Sequence, residues 1–354
     1  MLDQNSYDTH KNRENILKLR IVLRELPPFC RDFFRAIEPN TSILTRINYA
    51  YDLRLFFEFL TNEVTEFTHI QPFSKFTLED LNLVQAVHIE MFLEYLTYYS
   101  RPSTPEIEHQ NSESGKARKL STLRSFLAYY FKNEKIDRNV ASLVDHPKIH
   151  EKPVIRLEPD EVARLLDLVE SGQGLTERQK HYHKYTKQRD VTILTLFLGT
   201  GIRISECVGL NISDLDFSVN GFRITRKGGN QVILYFGDEV RKALLDYLEE
   251  REKIEALPGH EDALFLSMQR KRISNRAVQN LVKKYSKIVT PLKNISPHKL
   301  RSTYGTALYQ ETGDIYLVAD VLGHKDVNTT RKHYAAISDE KRRMAARVVK
   351  LRED

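Results

Sequence analysis

Apolar residues recur at helical spacing along most of the first 150 residues of the chain. Between positions 41 and 63 they fall largely along one stripe, which predicts a long amphipathic helix. The same spacing predicts further helices over 87–99 and 116–133, with a polar loop over 101–115 between them. This part of the chain is therefore expected to form one helical domain, residues 1–150.

The hydrophobic pattern changes after residues 147–156, PKIHEKPVIR, where two prolines, mixed charge and the lack of a period predict a linker. Farther along, three short runs separated by glycine-containing turns predict the strands of an antiparallel sheet. These runs occupy 215–219, 222–226 and 232–236. Helices are expected on the far side, over 238–254 and 274–288. The predicted fold class is mainly α with a small antiparallel β-sheet, and the second domain spans 157–354.

Residues 171–189, SGQGLTERQKHYHKYTKQR, are polar, basic and rich in histidine. His181 and His183 could suggest a metal site, but two histidines without further spaced ligands are weak evidence for one. We therefore predict a flexible basic loop, whose charge suits contact with a nucleic-acid backbone, and no metal. The apolar residues that follow, 190–199, predict a buried helix.

Composition narrows the class of protein without naming its substrate. The 354 residues carry a net charge of +6, from 54 Lys+Arg against 48 Asp+Glu, which permits nucleic-acid binding. Cys30 and Cys207 are too few and too far apart for a disulfide framework, so we expect a reducing compartment. The polar N-terminus is unlike a secretion signal, and the longest apolar run, 191–199, is too short to span a bilayer. We expect a cytoplasmic protein with no membrane partner.

Most of the candidate catalytic side chains lie between Ser296 and Tyr334. Ser296 suits an N-cap and Pro297 suits the first position of a helix, where its missing N–H costs nothing. His298 and Arg301 then lie three residues apart, on one face of the first turn. Their side-chain donors point the same way as the free backbone N–H groups, which predicts an anion site.

Two further helices are predicted in this stretch. One runs from Asp314 to Leu322 and stops at Gly323, which puts His324 in the following turn. A short one after it carries Tyr334. Arginine grips phosphate at two points, and positioned donors provide most of the catalysis of phosphoryl transfer. A phenol, with a pKa of about 10, needs such a cationic pocket before it attacks well.

The order of these residues resembles the signature of the tyrosine recombinases. The chain has H-x-x-R, then L-G-H, then a tyrosine ten residues on, and upstream it has G-x-R-x-S-E and a lysine in a predicted hairpin turn. Six ordered matches over some 130 residues are more specific than any single motif. The matched positions are Arg203, Lys227, His298, Arg301, His324 and Tyr334.

The resemblance implies a role for each matched residue. Tyr334 attacks the scissile phosphate and forms a 3′-phosphotyrosine, while the two arginines hold the non-bridging oxygens. The two histidines add hydrogen bonds and proton handling, and Lys227 protonates the 5′-oxygen that leaves. Arg226, directly before Lys227, is the alternative cation for that last step. Glu206 is expected to orient Arg203. No cofactor, metal or ATP is implied.

The resemblance also implies the partners. The N-terminal helical domain would clamp a double-stranded recombination site, and a homotetramer on two sites would exchange strands through a Holliday junction. The terminal helix, 338–354, would dock on a neighbouring subunit or else fold back on its own domain. Clustered cations, those over 116–124 on or near one exposed helix side, are the candidate DNA contacts. They are Lys116, Arg118, Lys119, Arg124, Lys271, Arg272 and Arg276.

Several biological roles share this chemistry. The chain length and the lack of an obvious arm-binding domain look like the Xer type, including its single-protein streptococcal kind, which resolves chromosome dimers. An integrase of a phage or conjugative transposon is the main alternative. A type IB topoisomerase, which reseals the same strand, and a non-catalytic DNA-binding protein on the same scaffold are two others. The sequence leaves the DNA site and any accessory protein open.

Overall fold

Two compact units divide the chain, Met1–Glu151 and Lys152–Asp354. The computed structural model of the protein describes residues 7–101, 104–149, 154–226, 229–324, 327 and 330, with the backbone alone for residues 7–11. The boundary between the units falls inside the segment predicted as a linker. Within the described residues, no helix combines the length and apolar character that crossing a bilayer requires.

The first unit is built from α-helices and one small hairpin. Its elements are α1 (Tyr7–Glu25), α2 (Cys30–Ala36), α3 (Ile43–Glu63), α4 (Leu78–Leu83), α5 (Ala86–Tyr95), β1 (Tyr99–Arg101), β2 (Thr104–His109) and α6 (Glu113–Lys132). Serine caps start the two long helices that the pattern predicted: Ser42 Oγ accepts the N–H of Thr45 before α3, and Ser112 Oγ accepts the N–H of Gly115 before α6. The helices predicted over 41–63, 87–99 and 116–133 are confirmed, with ends shifted by about a turn.

Aromatic rings fill the centre of the first unit. Phe126 of α6 packs edge-to-face on Phe33 of α2, with ring centroids 5.2 Å apart, and on Phe57 of α3 at 6.1 Å. Tyr130, one turn farther along α6, contacts Phe126 at 5.0 Å. All four side chains are buried. Such ring pairs add to the free energy of burial, so they hold α6 against α2 and α3.

The prediction of a loop over 101–115 is wrong for most of that segment. β1 and β2 pair antiparallel, with Tyr99 opposite His109 and Ser100 opposite Glu108. The only aliphatic side chain in β2, Ile107, is exposed. Tyr99 of β1 is buried and its ring stacks on His109, but β2 has no apolar face, so the alternation that predicts a strand is missing.

The second unit combines helices with a three-stranded sheet. Its elements are α7 (Pro159–Ser171), α8 (Glu177–Thr200), α9 (Ile204–Gly209), β3 (Leu215–Asp216), β4 (Gly221–Thr225), β5 (Gln231–Tyr235), α10 (Asp238–Arg251), α11 (Asn275–Val289), α12 (Pro297–Thr312) and α13 (Ile315–Leu322). The strands pair antiparallel in the order β3-β4-β5, with Phe222 opposite Leu234 on the buried face. The predicted mainly α class with a small antiparallel sheet is confirmed.

The prediction of a flexible loop over 171–189 is also wrong. α8 begins at Glu177, capped by Thr176, and runs unbroken into the apolar segment. Its buried positions in this half are His183, Thr186 and Asp190, which are spaced for one helix face but are polar. Because these buried positions are polar, this half of the helix shows no apolar stripe from which it could be predicted. His183 Nδ1 lies 3.1 Å from the hydroxyl of Tyr285 on α11, and burial lowers the pKa of His183.

A buried carboxylate joins α8 to α11. Asp190 is 1% exposed and accepts hydrogen bonds from the Tyr285 hydroxyl at 2.9 Å and from Lys284 Nζ at 3.1 Å. Arg189 donates to the same carboxylate at 2.7 Å. Two cations and a hydroxyl thus offset the cost of burying one negative charge.

Replacing this carboxylate is expected to destabilise the second unit strongly. Asp190→Ala leaves Lys284 and Arg189 without their counter-charge, and removal of one partner from a buried ion pair costs about 3–5 kcal/mol. Urea unfolding followed by circular dichroism measures the change. Glu249→Ala, at an exposed position on α10, is the control and should stay within about 0.5 kcal/mol of the unmodified protein. A loss below about 1 kcal/mol for Asp190→Ala would contradict the assigned role.

Candidate active site

The first turn of α12 presents a histidine and an arginine in different environments. Pro297 is the first helical residue, as predicted, and Ser296 precedes it in an extended conformation. Ser296 is the N-cap residue, as predicted, but its side chain makes no capping hydrogen bond. His298 is exposed, whereas Arg301, one turn later, is 5% exposed. The His298 side chain is therefore accessible to solvent, whereas the Arg301 side chain is almost fully buried.

α13 begins and ends as the sequence predicted. Asp314 Oδ1 accepts the backbone N–H groups of Tyr316 and Leu317 at 2.8 and 3.1 Å. Gly323 ends the helix at φ +60°, in the left-handed region that favours glycine. The N–H of His324 then turns back to the carbonyl of Ala319 at 2.8 Å. The turn at Gly323 fixes the backbone of His324 against the end of α13.

Three guanidinium groups meet at the carboxyl end of α13. They belong to Arg203, Arg226 and Arg301, from three separate stretches of the sequence. Their acceptors are the four consecutive backbone carbonyls of residues 320–323. The last carbonyls of a helix lack partners within the helix and carry a partial negative charge. The arginines satisfy these carbonyls, and the helix end in turn offsets the repulsion among three like charges.

Arg301 reaches this point from inside the unit. Its guanidinium donates to the carbonyls of Gly201 and Leu322. Gly201 has φ +62°, and a Cβ at this position would lie 2.5 Å from a ring carbon of Tyr304. Glycine at 201 therefore lets α12 approach the turn between α8 and α9. That close approach brings Arg301 into reach of both carbonyls.

Arg203 is held by a carboxylate. Glu206 accepts a hydrogen bond from Nη1 of Arg203 at 2.9 Å and one from its backbone N–H at 2.9 Å. The Glu206 side chain is 5% exposed and the Arg203 side chain 34%. Nη2 of Arg203 donates to the carbonyl of Gly323 at 2.7 Å. The expectation that Glu206 orients Arg203 is confirmed.

Arg226 completes the group from the end of β4. It donates to the carbonyls of Asp320 at 3.1 Å and Val321 at 2.8 Å. Burial lowers the pKa of its guanidinium, the negative charge of Glu206 opposes that shift, and the positive charge of Arg203 adds to it. The sequence indicates Arg226 only as the alternative to Lys227 for protonating the leaving oxygen. It does not reveal the contact of Arg226 with α13. Its adjacency to a glycine-rich hairpin turn was the only available signal.

The two predicted histidines differ in their surroundings. His324 is half-buried, and its Nδ1 lies 2.7 Å from the hydroxyl of the fully buried Thr330. That contact restrains the ring of His324 in the turn that follows α13. His298 is exposed at the start of α12. Lys227, Tyr334 and the predicted tail helix over 338–354 lie outside the described residues.

The predicted DNA contacts of the first unit do not all lie on an exposed side. Arg118 forms a two-point ion pair with buried Asp52, with Nη2 to Oδ1 at 2.7 Å, and remains 48% exposed. Lys119 is buried, so its predicted exposure is wrong, and burial lowers its pKa. Arg124 donates to two backbone carbonyls in the 141–144 turn. Lys116 pairs with a glutamate one turn earlier at 3.1 Å.

The predicted contacts of the second unit divide in the same way. Lys271 and Arg276 are exposed. Arg272 instead donates to the carbonyls of Val208 at 3.0 Å and Leu210 at 2.7 Å. These bonds hold the loop before α11 to the end of α9. Arg272 therefore stabilises the unit, which its position in a basic run did not indicate.

Comparison with protein families gives a clear match. Residues 155–341 match the model of the phage integrase family, which includes nearly all of the second unit. The tyrosine recombinase XerC of Caldanaerobacter subterraneus subsp. tengcongensis is 33% identical over 332 residues, covering 90% of this chain and 86% of that protein. The tyrosine recombinase XerS of Lactococcus lactis subsp. cremoris is 29% identical over 353 residues, covering 93% and 96%.

A solved structure has the same fold. The crystal structure of the XerH site-specific recombinase bound to a palindromic difH substrate, in a post-cleavage complex, superposes with a TM-score of 0.66. The match covers 87% of this chain and 81% of that one, at 20% sequence identity. At this identity the similarity extends to the fold alone.

Gly323 is expected to be intolerant of a side chain. Gly323→Ala forces a left-handed residue, at about 1–2 kcal/mol, and puts a Cβ 2.4 Å from Nη1 of Arg226. Urea unfolding should show a loss of at least about 1 kcal/mol. Gly209→Ala, in the last turn of α9 with no atom within 4 Å of the new Cβ, is the control and should cost much less. Equal stability of the two variants would contradict the packing of Arg226 on Gly323.

Proposed function

The chain belongs to the phage integrase family of tyrosine recombinases, and we propose that it cuts and rejoins DNA through a covalent 3′-phosphotyrosine on Tyr334. Membership of this family makes it a site-specific DNA recombinase. One observation supports the proposed active site above the others. Arg203 and Arg301, the two arginines of the family signature, converge on the turn that carries His324.

The arginines are proposed to hold the scissile phosphate. A phosphodiester under in-line attack spreads negative charge over its non-bridging oxygens, and fixed donors in a protected site stabilise that charge. A guanidinium has five N–H donors. The contacts of Arg203 with Glu206 and Gly323 use one N–H on each Nη, and its side chain is one-third exposed. The other donors of Arg203 are therefore suited to grip phosphate at two points.

The bond changes follow from this arrangement. The Tyr334 oxygen forms a bond to phosphorus as the bond from phosphorus to the 5′-oxygen breaks. The phenol proton passes to a base, for which His298 and His324 are the candidates, and Lys227 gives a proton to the 5′-oxygen. One phosphoester replaces another, so the reverse reaction rejoins DNA without ATP or metal. Attack by the 5′-hydroxyl of a partner strand exchanges the strands.

The two units are proposed to divide the work. Residues 1–150 would form the core DNA-binding domain and residues 157–354 the catalytic domain. Lys271 and Arg276 are exposed, and Arg118 is half-exposed while its guanidinium is held by buried Asp52, so these three suit contacts to phosphate. Lys116 remains a weaker candidate. The internal bonds of the others favour support roles. Those others are Lys119, Arg124 and Arg272.

The biological role proposed first is Xer-like resolution of chromosome dimers. It is supported by the similarity to XerC and XerS over nearly the whole chain. Strands would pass between two sites through a Holliday junction on a homotetramer, with the tail helix over 338–354 docked on a neighbour. Integration or excision of a mobile element uses the same chemistry. Recovery and sequencing of the cleaved chromosomal site would separate the two roles.

The nucleophile is tested by trapping. Tyr334→Phe should bind a nicked recombination-site duplex but form no covalent adduct, because the phenyl ring has no oxygen to attack phosphorus. Denaturing gel electrophoresis of labelled DNA detects the adduct. A normal adduct in this variant would refute the assignment of Tyr334. Relaxation of supercoiled plasmids that lack a recombination site would favour the topoisomerase alternative.

The arginine roles are tested by charge-preserving substitution. Arg203→Lys keeps the charge but loses the two-point grip, and loss of one transition-state donor costs about 10²–10³ in rate. Cleavage should fall by that order while the dissociation constant for DNA changes little. Arg164→Lys, exposed on α7 beside Asp160, is the matched control and should cleave normally. Near-normal cleavage by Arg203→Lys would mean that the phosphate binds elsewhere.

A further inference from the structure

Arg226 makes contacts at the base of a hairpin and at the end of a helix. Its backbone N–H donates to the carbonyl of Asn230 at 2.8 Å, and its own carbonyl accepts the N–H of Gly229 at 3.0 Å. Those bonds close the turn between β4 and β5. Its guanidinium donates to Asp320 and Val321, which come 94 and 95 residues later. One residue thus links the hairpin turn to the carboxyl end of α13.

The guanidinium of Arg226 also packs directly on Gly323. A Cβ built on Gly323 would lie 2.4 to 2.7 Å from three atoms of the guanidinium, so only a hydrogen separates the two groups. Gly323 immediately precedes His324, and its carbonyl accepts the bond from Arg203. Arg226 therefore covers the backbone at the point where the helix end passes into the histidine turn.

The environment of Arg226 suits a fixed link better than a proton donor. Its two Nη atoms are engaged by carbonyls, and its Nε is buried with no hydrogen-bond partner among the described residues. Burial lowers the pKa of Arg226, but a guanidinium in a protein still keeps its proton at any working pH. A planar fork that bridges two consecutive carbonyls holds its element in one orientation.

We propose that Arg226 is a positioning residue, which fixes the hairpin turn bearing Lys227 against the turn bearing His324. The inference rests on the proposed function, because it needs Lys227 as the donor of a proton to the 5′-oxygen. Lys227 follows Arg226 directly in the sequence. Locking Arg226 limits where the next residue reaches, which aligns the proton donor with the groups that hold phosphate.

The contacts also indicate which step of the reaction should slow when the Arg226 side chain is removed. The end of α13 has two further arginines, Arg203 and Arg301, to hold it. Among the described residues, the hydrogen bonds between the hairpin turn and α13 come from Arg226 alone. Loss of this side chain should therefore release the hairpin turn and leave the phosphate-holding groups in position. Protonation of the leaving oxygen is the step expected to slow.

Sulfur in place of the 5′-bridging oxygen separates that step from the others. A thiol has a pKa of about 8.5, far below that of an alcohol, so a thiolate leaves without a proton donor. Arg226→Ala and Lys227→Ala are compared with the unmodified protein in single-turnover cleavage of ordinary and 5′-phosphorothiolate duplexes. General acid catalysis is worth about 10²–10⁴-fold, and Arg226→Ala should lose roughly tenfold or more of it on ordinary DNA. With the sulfur substrate it should recover to near the rate of the unmodified protein.

Two control variants guard against unrelated effects. Arg223→Ala removes the same charge from an exposed position on β4, the strand that precedes Arg226, where Arg223 lies 3.6 Å from Asp214. It should cleave both substrates normally. Arg226→Lys keeps the charge and much of the side-chain length but not the fork. It should show a smaller slowing with the same recovery, and it carries the test if the alanine variant unfolds on circular dichroism.

The outcomes distinguish the inference from the function on which it rests. A normal rate for Arg226→Ala on ordinary DNA, beside a slow Lys227→Ala, overturns the inference alone. Equal slowing of Arg226→Ala on both substrates also overturns it, because the defect then lies in holding phosphate. A normal rate for Lys227→Ala on ordinary DNA overturns the assigned role of Lys227 and the inference with it.

Discussion

The carboxyl end of α13 is the constraint on which the proposed active site depends. The N–H of Gly323 reaches only the carbonyl of Asp320 among the last four carbonyls, and three guanidinium groups donate hydrogen bonds to all four. Three positive charges so close together repel one another, and both the helix end and the buried carboxylate of Glu206 offset that cost. The cations are thereby held by the protein itself, so stabilising a phosphate needs little reorganisation.

Local signals explain what the sequence predicted well. Gly323 ends α13 because glycine adopts the left-handed conformation, and the spacing of apolar residues located the long helices of the first unit. Elements formed mainly by polar residues could not be predicted from the spacing of apolar residues. Strand β2 has no apolar face, and the first half of α8 is buried through His183, Thr186 and Asp190, so neither shows a hydrophobic period.

Partners distant in sequence explain most of what could not be predicted at the candidate site. Arg118 meets Asp52 across 66 residues, and Arg226 meets Val321 across 95. A basic run looks the same in sequence whether its side chains face solvent or hold backbone carbonyls, as those of Arg124 and Arg272 do. The ordered motif residues could be proposed from the sequence because the resemblance supplied their spacing, whereas the role proposed for Arg226 depends on the folded chain.

The central claim is that Arg203, Arg301 and His324 surround one phosphate opposite Tyr334. A crystal structure of the protein on a nicked recombination site with vanadate bridging the nick tests this most directly. We expect both guanidinium groups and the imidazole to lie within about 3.2 Å of equatorial vanadate oxygens, with the phenol oxygen apical. Vanadate bound away from the end of α13, or apical coordination by another residue, would contradict it.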